Sequence, residues 1–189
     1  MTTATAARRT TTTSPAAVVV GAAGVIALLA RPPLVRATSH PVALLVALFV
    51  VLLVVGAGWP LDRATPSVAT VVVVTATGAT AFALGRLAGN WHGPSTLVTR
   101  LVVLNGLAAL AEEAFFRRFL YGLLVPSGAA IAVGGSAALF AVVHVTVYGW
   151  WVLPLDLAAG LVLSWQRWAS GSWVAPAITH VIANVLALA

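Results

Sequence analysis

Two adjacent carboxylates, Glu112 and Glu113, stand in the middle of a stretch that otherwise has little affinity for water. Leu97 to Leu110 precedes them with one Arg and one Asn among apolar and small residues, and Phe119, Leu120, Tyr121, Leu123, Leu124 and Val125 follow. They are half of the four acids in the chain. A charged side chain at the centre of a bilayer costs roughly 2.5 to 3.5 kcal/mol on insertion scales, so the pair must face protein or water and must have partners. Any fold open to this sequence has to build a polar interior around these two residues, and intramembrane carboxylates are candidate functional groups by default.

The rest of the chain fixes the solvent. Its residues are 61% hydrophobic and 7% charged, against roughly 25% charged in soluble domains, so it cannot cover a water-facing surface. The expected fold is all-α, a polytopic transmembrane helical bundle whose first partner is the lipid bilayer. About seven spans of about 20 residues fit the length, leaving a tail, short loops and no separate soluble domain. The net charge of +6 comes from ten basic residues, all Arg. They are scattered rather than gathered into the basic stripe that nucleic acid requires, so no nucleic-acid partner is expected. With no Cys there is no disulfide framework, no thiolate nucleophile and no Cys metal site.

Residues 1–14 are rich in Thr and Ala, carry Arg8 and Arg9, and read as a disordered tail. Residues 15–94 read as three membrane helices. The first, Ala16 to Ala30, resembles a secretory signal, but no clear small-residue cleavage site precedes Arg31-Pro32-Pro33, and a retained helix is expected. The second runs from Pro41 to Trp59. The third runs from Pro66 to about Leu87, with Gly85-x-x-x-Gly89 near its end as a candidate for close helix contact. Asn90 to Pro94 reads as a turn. Residues 95–189 read as a core of four more helices: Ser95 to Val125, ended by Pro126-Ser127-Gly128; Ala129 to Tyr148; Trp151 to Trp168; and Ser172 to the C-terminus. All seven Trp fall at proposed span ends, where amphipathic rings suit the headgroup layer. With the N-terminus in the cytoplasm, Arg8, Arg9, Arg63, Arg117, Arg118 and Arg167 fall inside, against Arg31, Arg36, Arg86 and Arg100 outside. This small bias favours that orientation, in the cell membrane.

Depth then shows which polar side chains meet. At about 1.5 Å per helical residue, Glu112 lies about 21 Å back from the Pro126 break and His144 about 24 Å forward from Gly128. The hairpin brings them to similar height. From Ser172, His180 is about 12 Å deep and Asn184 about 18 Å. Residues four apart share a helix face, which aligns His180 with Asn184, Phe140 with His144, and Glu113 with Arg117. Neighbours on a helix point about 100° apart, so Glu112 is free for chemistry while Glu113 pairs with Arg117. The bland alternative is that each polar group is a helix-packing hydrogen bond, and for His40 and His92, both in expected loops, that reading suffices. Asp156, near the start of its helix, reads as a first-turn acid favoured by the helix dipole. Asn105 reads as a packing or supporting residue.

In order along the chain, Glu112-Glu113-x-x-x-Arg117, Phe140-x-x-x-His144 and His180-x-x-x-Asn184 resemble the motifs of the CPBP family, also called the Abi or CAAX-protease family of intramembrane proteases. The segment from Gly160 through Ser170-Gly171-Ser172-Trp173-Val174-Ala175-Pro176 also resembles that family's approach to its third motif. The resemblance implies a membrane-embedded endopeptidase acting on a peptide or membrane-protein substrate. Glu112 would activate water, His144 would be the second group at the water, His180 and Asn184 the last pair, and Glu113 with Arg117 a structural ion pair. Arg118 departs from the pattern, since many members carry Gly there.

Amide hydrolysis needs a nucleophilic water and stabilisation of the oxyanion, and two routes use the same residues. In one, Glu112 and His144 deprotonate water while His180 and Asn184 donate to the oxyanion. In the other, His144 and His180 bind a divalent metal such as zinc, with Glu112 as base or third ligand. Two other classes stand beside the enzyme. A non-catalytic membrane scaffold or immunity-type protein would keep the motifs for packing. A proton-coupled transporter would use the acids as a relay, but the chain has no internal repeat and no second acidic cluster.

Overall fold

The computed structural model describes residues 14–59, 66–89 and 99–188. The expected tail up to residue 13, the Asn90 to Pro94 turn and His92 lie outside them. Among the described residues every regular element is a helix. Seven rods follow the chain: α1 (Pro15–Leu29) with α2 (Arg31–Ala37); α3 (Pro41–Gly58); α4 (Val68–Ala88); α5 (Thr99–Glu113), continued by a π-helical segment (Ala114–Leu120) and α6 (Tyr121–Leu124); α7 (Ala129–Tyr148); α8 (Leu153–Ser170); and α9 (Val174–Leu188).

Punctuation in the sequence sets these limits. Proline occupies the first helical turn of α1, α2, α3 and α8, where its missing N–H is no loss. The Ser67 side chain accepts the Thr70 N–H at 3.0 Å and caps α4. Between the sixth and seventh α-helices, Gly128 adopts φ 111°, a conformation other residues rarely take. That turn folds α7 back along the acid-bearing rod.

Three helices are long and apolar enough to cross a membrane, Pro41–Gly58, Val68–Ala88 and Ala129–Tyr148, and the bent α1–α2 pair makes a fourth if it is one broken span. Their outward faces carry exposed valines such as Val54, Val72 and Val73, as lipid contact requires. The protein is therefore an integral membrane, all-helical one. The expected count of seven is met by rods rather than by membrane-spanning composition. The α5–α6 rod holds Glu112, Glu113, Arg117 and Arg118, α8 holds Asp156 and Arg167, and α9 has 15 residues.

Three other expectations need correction. Gly85 meets nothing outside its own helix and Gly89 meets only its own preceding turn, so this pair mediates no close contact. The close approach is at Gly56, where an added Cβ would collide with the Ala114 backbone and seat α3 on the π-helical segment. Arg31 is not a surface-loop charge. The first rod breaks by 56° ahead of Pro32-Pro33 and continues as α2, which holds Arg31 at the level of Glu112. Arg117 and Arg167 are likewise buried, so neither these two nor Arg31 contributes to the loop-charge bias used for orientation.

The core joins both halves of the chain. Leu28, Phe49 and Leu52 pack with Ala111, Phe115, Phe116, Phe119, Leu120, Phe140 and Val143. Around it, α7 lies along α8, and α9 lies against α4 and α5, which brings the ends of the three motif-bearing helices together.

Candidate active site

The acid pair divides as the angle between helical neighbours dictates. Glu112 lines a cavity of about 400 Å³ together with Arg31, Asn105, His144, Tyr148, His180 and Asn184. Glu113, fully buried, points away from it. Its Oε1 lies 3.2 Å from Nη1 of Arg117 and 2.8 Å from Nδ1 of His180. The anticipated pair with Arg117 is thus present in the geometry, but Glu113 also orients a second site residue, which the spacing of Glu113 and Arg117 alone did not reveal.

Arg117 is held from several sides. Its guanidinium lies over the Phe140 ring at 4.4 Å and donates from Nη2 to the Gly160 carbonyl at 3.3 Å. The contact with Glu113 is short but poorly aligned as a hydrogen bond, since Nη1 has no hydrogen-bond partner. Charge attraction and the aromatic face therefore carry it. The neighbouring Arg118 donates from Nε and Nη2 to the Trp59 carbonyl at 3.0 and 2.8 Å. The charge that departs from the family pattern thus ties the π-helical segment to the end of α3.

Phe140 sits between the two histidines. Its ring lies 4.4 Å from that of His144 and 5.7 Å from that of His180. Its carbonyl accepts from Nδ1 of His144 at 2.7 Å. A carbonyl only accepts, so the Nδ1 of His144 carries a proton and Nε2 of the neutral ring has the free lone pair. That nitrogen faces Oε2 of Glu112 at 3.7 Å. By the same logic the Nδ1–H of His180 goes to the Glu113 carboxylate, leaving Nε2 toward the cavity. Asn184 donates to the Asn105 carbonyl at 3.2 Å, and Asn105 donates to that of Leu101 at 2.8 Å, so Asn105 is the support for Asn184.

Residues 94–186 match the family model described as type II CAAX prenyl endopeptidase Rce1-like. This half of the chain belongs to the Rce1-like family. Comparison with curated proteins and with solved structures gave no match. The Rce1-like half contains Glu112, Glu113, Arg117, His144, His180 and Asn184, and its family is one of peptidases.

Sequence reasoning missed three residues at this cavity. Arg31, outside the Rce1-like half, places Nη1 3.7 Å from Oε1 of Glu112 and its guanidinium 5.9 Å from the Phe49 ring centroid. Tyr148 stacks parallel to His144 with ring centroids 6.0 Å apart, a contact that spacing of four on α7 could have suggested. Asp156 brings Oδ2 to 3.8 Å from Nδ1 of His144. Nothing local to Arg31 or Asp156 announces these contacts. His40, as expected, is exposed at the start of α3, its N–H bonded to Thr38.

For a metal, the donor chemistry is suitable: each histidine presents Nε2 while its Nδ1–H is held by an oxygen, the usual support of a ligating imidazole. The spacing does not complete a set. Among the described residues no three His, Cys, Asp or Glu side chains gather as a metal site requires, so no step below runs through a metal.

Proposed function

We propose that this protein is an intramembrane endopeptidase, carried by the Rce1-like bundle of seven spans in the cell membrane, and that it hydrolyses a peptide bond through a water held between Glu112 and His144. The supporting observation is the pair of acceptors, Oε2 of Glu112 and Nε2 of His144, 3.7 Å apart on the wall of one cavity. A water at about 2.8 Å from both forms a shallow triangle, with each of its protons directed to one acceptor. One acceptor takes the proton as the oxygen attacks the carbonyl carbon, and the same proton passes to the leaving amine.

His180 supplies the complementary charge. Protonated on both nitrogens, it donates from Nδ1 to Glu113 and from Nε2 to the developing oxyanion, with the Asn184 amide beside it. Glu113 stabilises that cation, while Arg117 keeps Glu113 ionised in a buried position. A family of prenyl-protein endopeptidases makes lipidated or hydrophobic peptides the substrates to test first.

Purified protein in detergent, given a library of such peptides, is expected to cleave. Glu112→Gln keeps size and hydrogen bonding but cannot take a proton, and it should lose at least about 10²-fold, as should His144→Ala. Long incubation with a strong chelator should leave cleavage unchanged. Loss with recovery on added zinc would instead assign His144 and His180 as ligands. Cleavage that survives Glu112→Gln rejects both routes and returns the chain to a scaffold role.

A further inference from the structure

One carboxylate of the cluster has no task in the chemistry above. Asp156 lies in the first turn of α8, where the ordinary use of an acid is to complement the helix dipole. Its surroundings show a different commitment. Its helix has no side-chain cap hydrogen bond, the side chain is 20% exposed, and Oδ2 is sealed from solvent without a hydrogen-bond partner. A sealed carboxylate oxygen is costly unless a donor or cation serves it. Facing it at 3.8 Å is Nδ1 of His144, the nitrogen that carries the proton.

The geometry points to Asp156 as a positioning residue for His144: with the Phe140 carbonyl it keeps the ring proton on Nδ1, and so keeps Nε2 the basic atom turned to Glu112. The inference rests on the reading in which His144 works at the water. Its nearest precedent is inside the same site, where Glu113 holds Nδ1 of His180 at 2.8 Å. Each histidine is thus backed through Nδ1 by an acid from another helix. Three of the four acids in the chain serve two rings.

The arrangement matters most during reaction. When Nε2 takes a proton, the water O–H bond breaks, its electron pair becomes the base of the new C–O bond, and a positive charge appears on His144. The groups around that ring are Glu112 from α5, His180 from α9, Tyr148 from α7 and Asp156 from α8, with Arg31 from α2 beyond Glu112. Glu112 is the group at the water, which leaves Asp156 as the acid on the far edge of the ring. It plays the part of the acid in a hydrolytic triad, fixing tautomer and orientation without receiving the proton.

The variant to test is Asp156→Asn in the full-length protein. Asp156 also borders a groove of about 600 Å³ between α4, α8 and α9, so an amide of the same size fits without repacking. An amide N–H can donate to Nδ1 and drive the ring to its Nε2–H form, and the comparable change in serine proteases costs about 10⁴ in kcat. At the longer 3.8 Å spacing, kcat should fall at least about tenfold with KM within about twofold, and Asp156→Glu should restore part of it. A second readout needs no turnover: nitrogen-15 spectra of histidine-labelled protein should show His144 with its proton on Nδ1 in the parent and shifted toward Nε2–H in Asp156→Asn. A parent already in the Nε2–H form, or a folded Asp156→Asn with unchanged kcat and tautomer, overturns the assignment. Should the parent cleave no peptide, the peptidase reading fails while the spectra still judge Asp156.

Discussion

Truncating Arg117 to Ala tests whether the buried charge pair supports the fold or the chemistry. Arg117 has no exposure, and neither has Glu113. Removing the cation leaves an anion sealed in the bundle, which for buried pairs costs about 3 to 5 kcal/mol. The lost guanidinium also vacates the face of Phe140 and releases the Gly160 carbonyl. Removing both charges is a different perturbation. Replacing a buried pair by neutral groups of similar volume is often neutral or stabilising by about 1 to 4 kcal/mol, so Glu113→Gln with Arg117→Met should be more stable than Arg117→Ala. The two single changes should not add, because each leaves the other charge stranded. Unfolding in mixed detergent measures all four proteins. The double variant should fold yet cleave poorly, since His180 then lacks the anion that holds it charged. Arg117→Ala within about 1 kcal/mol of the parent, with activity alone lost, would refute a structural pair and move Arg117 into the reaction.

Gly56→Leu should cost about 1 to 3 kcal/mol or more, because the Ala114 backbone occupies the space, whereas Gly85→Ala should be neutral or gain up to about 1 kcal/mol of helix propensity; the same unfolding assay compares them. Arg31→Met should leave stability nearly unchanged and lower cleavage about tenfold, because it leaves a nearly buried carboxylate without its guanidinium neighbour; unchanged kcat would make Arg31 a bystander. Since the chain has no Cys, a single Thr3→Cys carries any thiol label, and in cells it should resist a membrane-impermeant maleimide until lysis if the N-terminus is cytoplasmic.

Much of the site was legible because helices convert sequence distance into depth. The Pro126 and Gly128 breaks set the zero from which Glu112 and His144 reach the same height, and spacing of four put Glu113 beside Arg117. Helix limits were legible wherever proline or glycine marks them, as at Pro41, Gly128 and Gly171. What stayed hidden is set by contacts between distant segments. Arg31 follows an apolar run and precedes two prolines, which looks like a span end, and only packing of α1 against the π-helical segment shows that the rod stops at the height of Glu112. Asp156 has a sufficient local reason to exist at a helix start, so nothing in its neighbours directs it to His144. Gly85 and Gly89 carry the right spacing for a contact but meet no partner, because spacing specifies a face and not what lies opposite.

The π-helical segment, Ala114–Leu120, has a consequence for how this protein tolerates change. Each π-type hydrogen bond spans five residues instead of four, so the segment stores a surplus of chain within an unbroken rod. Deleting one residue between Ala114 and Arg117 could return it to α-geometry, with Glu112 and Glu113 left in place and everything after them turned by about 100°. Arg118 would swing off the Trp59 carbonyl and Leu120 off α1, so the acids would survive the deletion and the clamp that seats them would not. Length in this stretch is therefore under tighter constraint than residue identity, and an insertion or deletion here should be far less tolerated than a substitution.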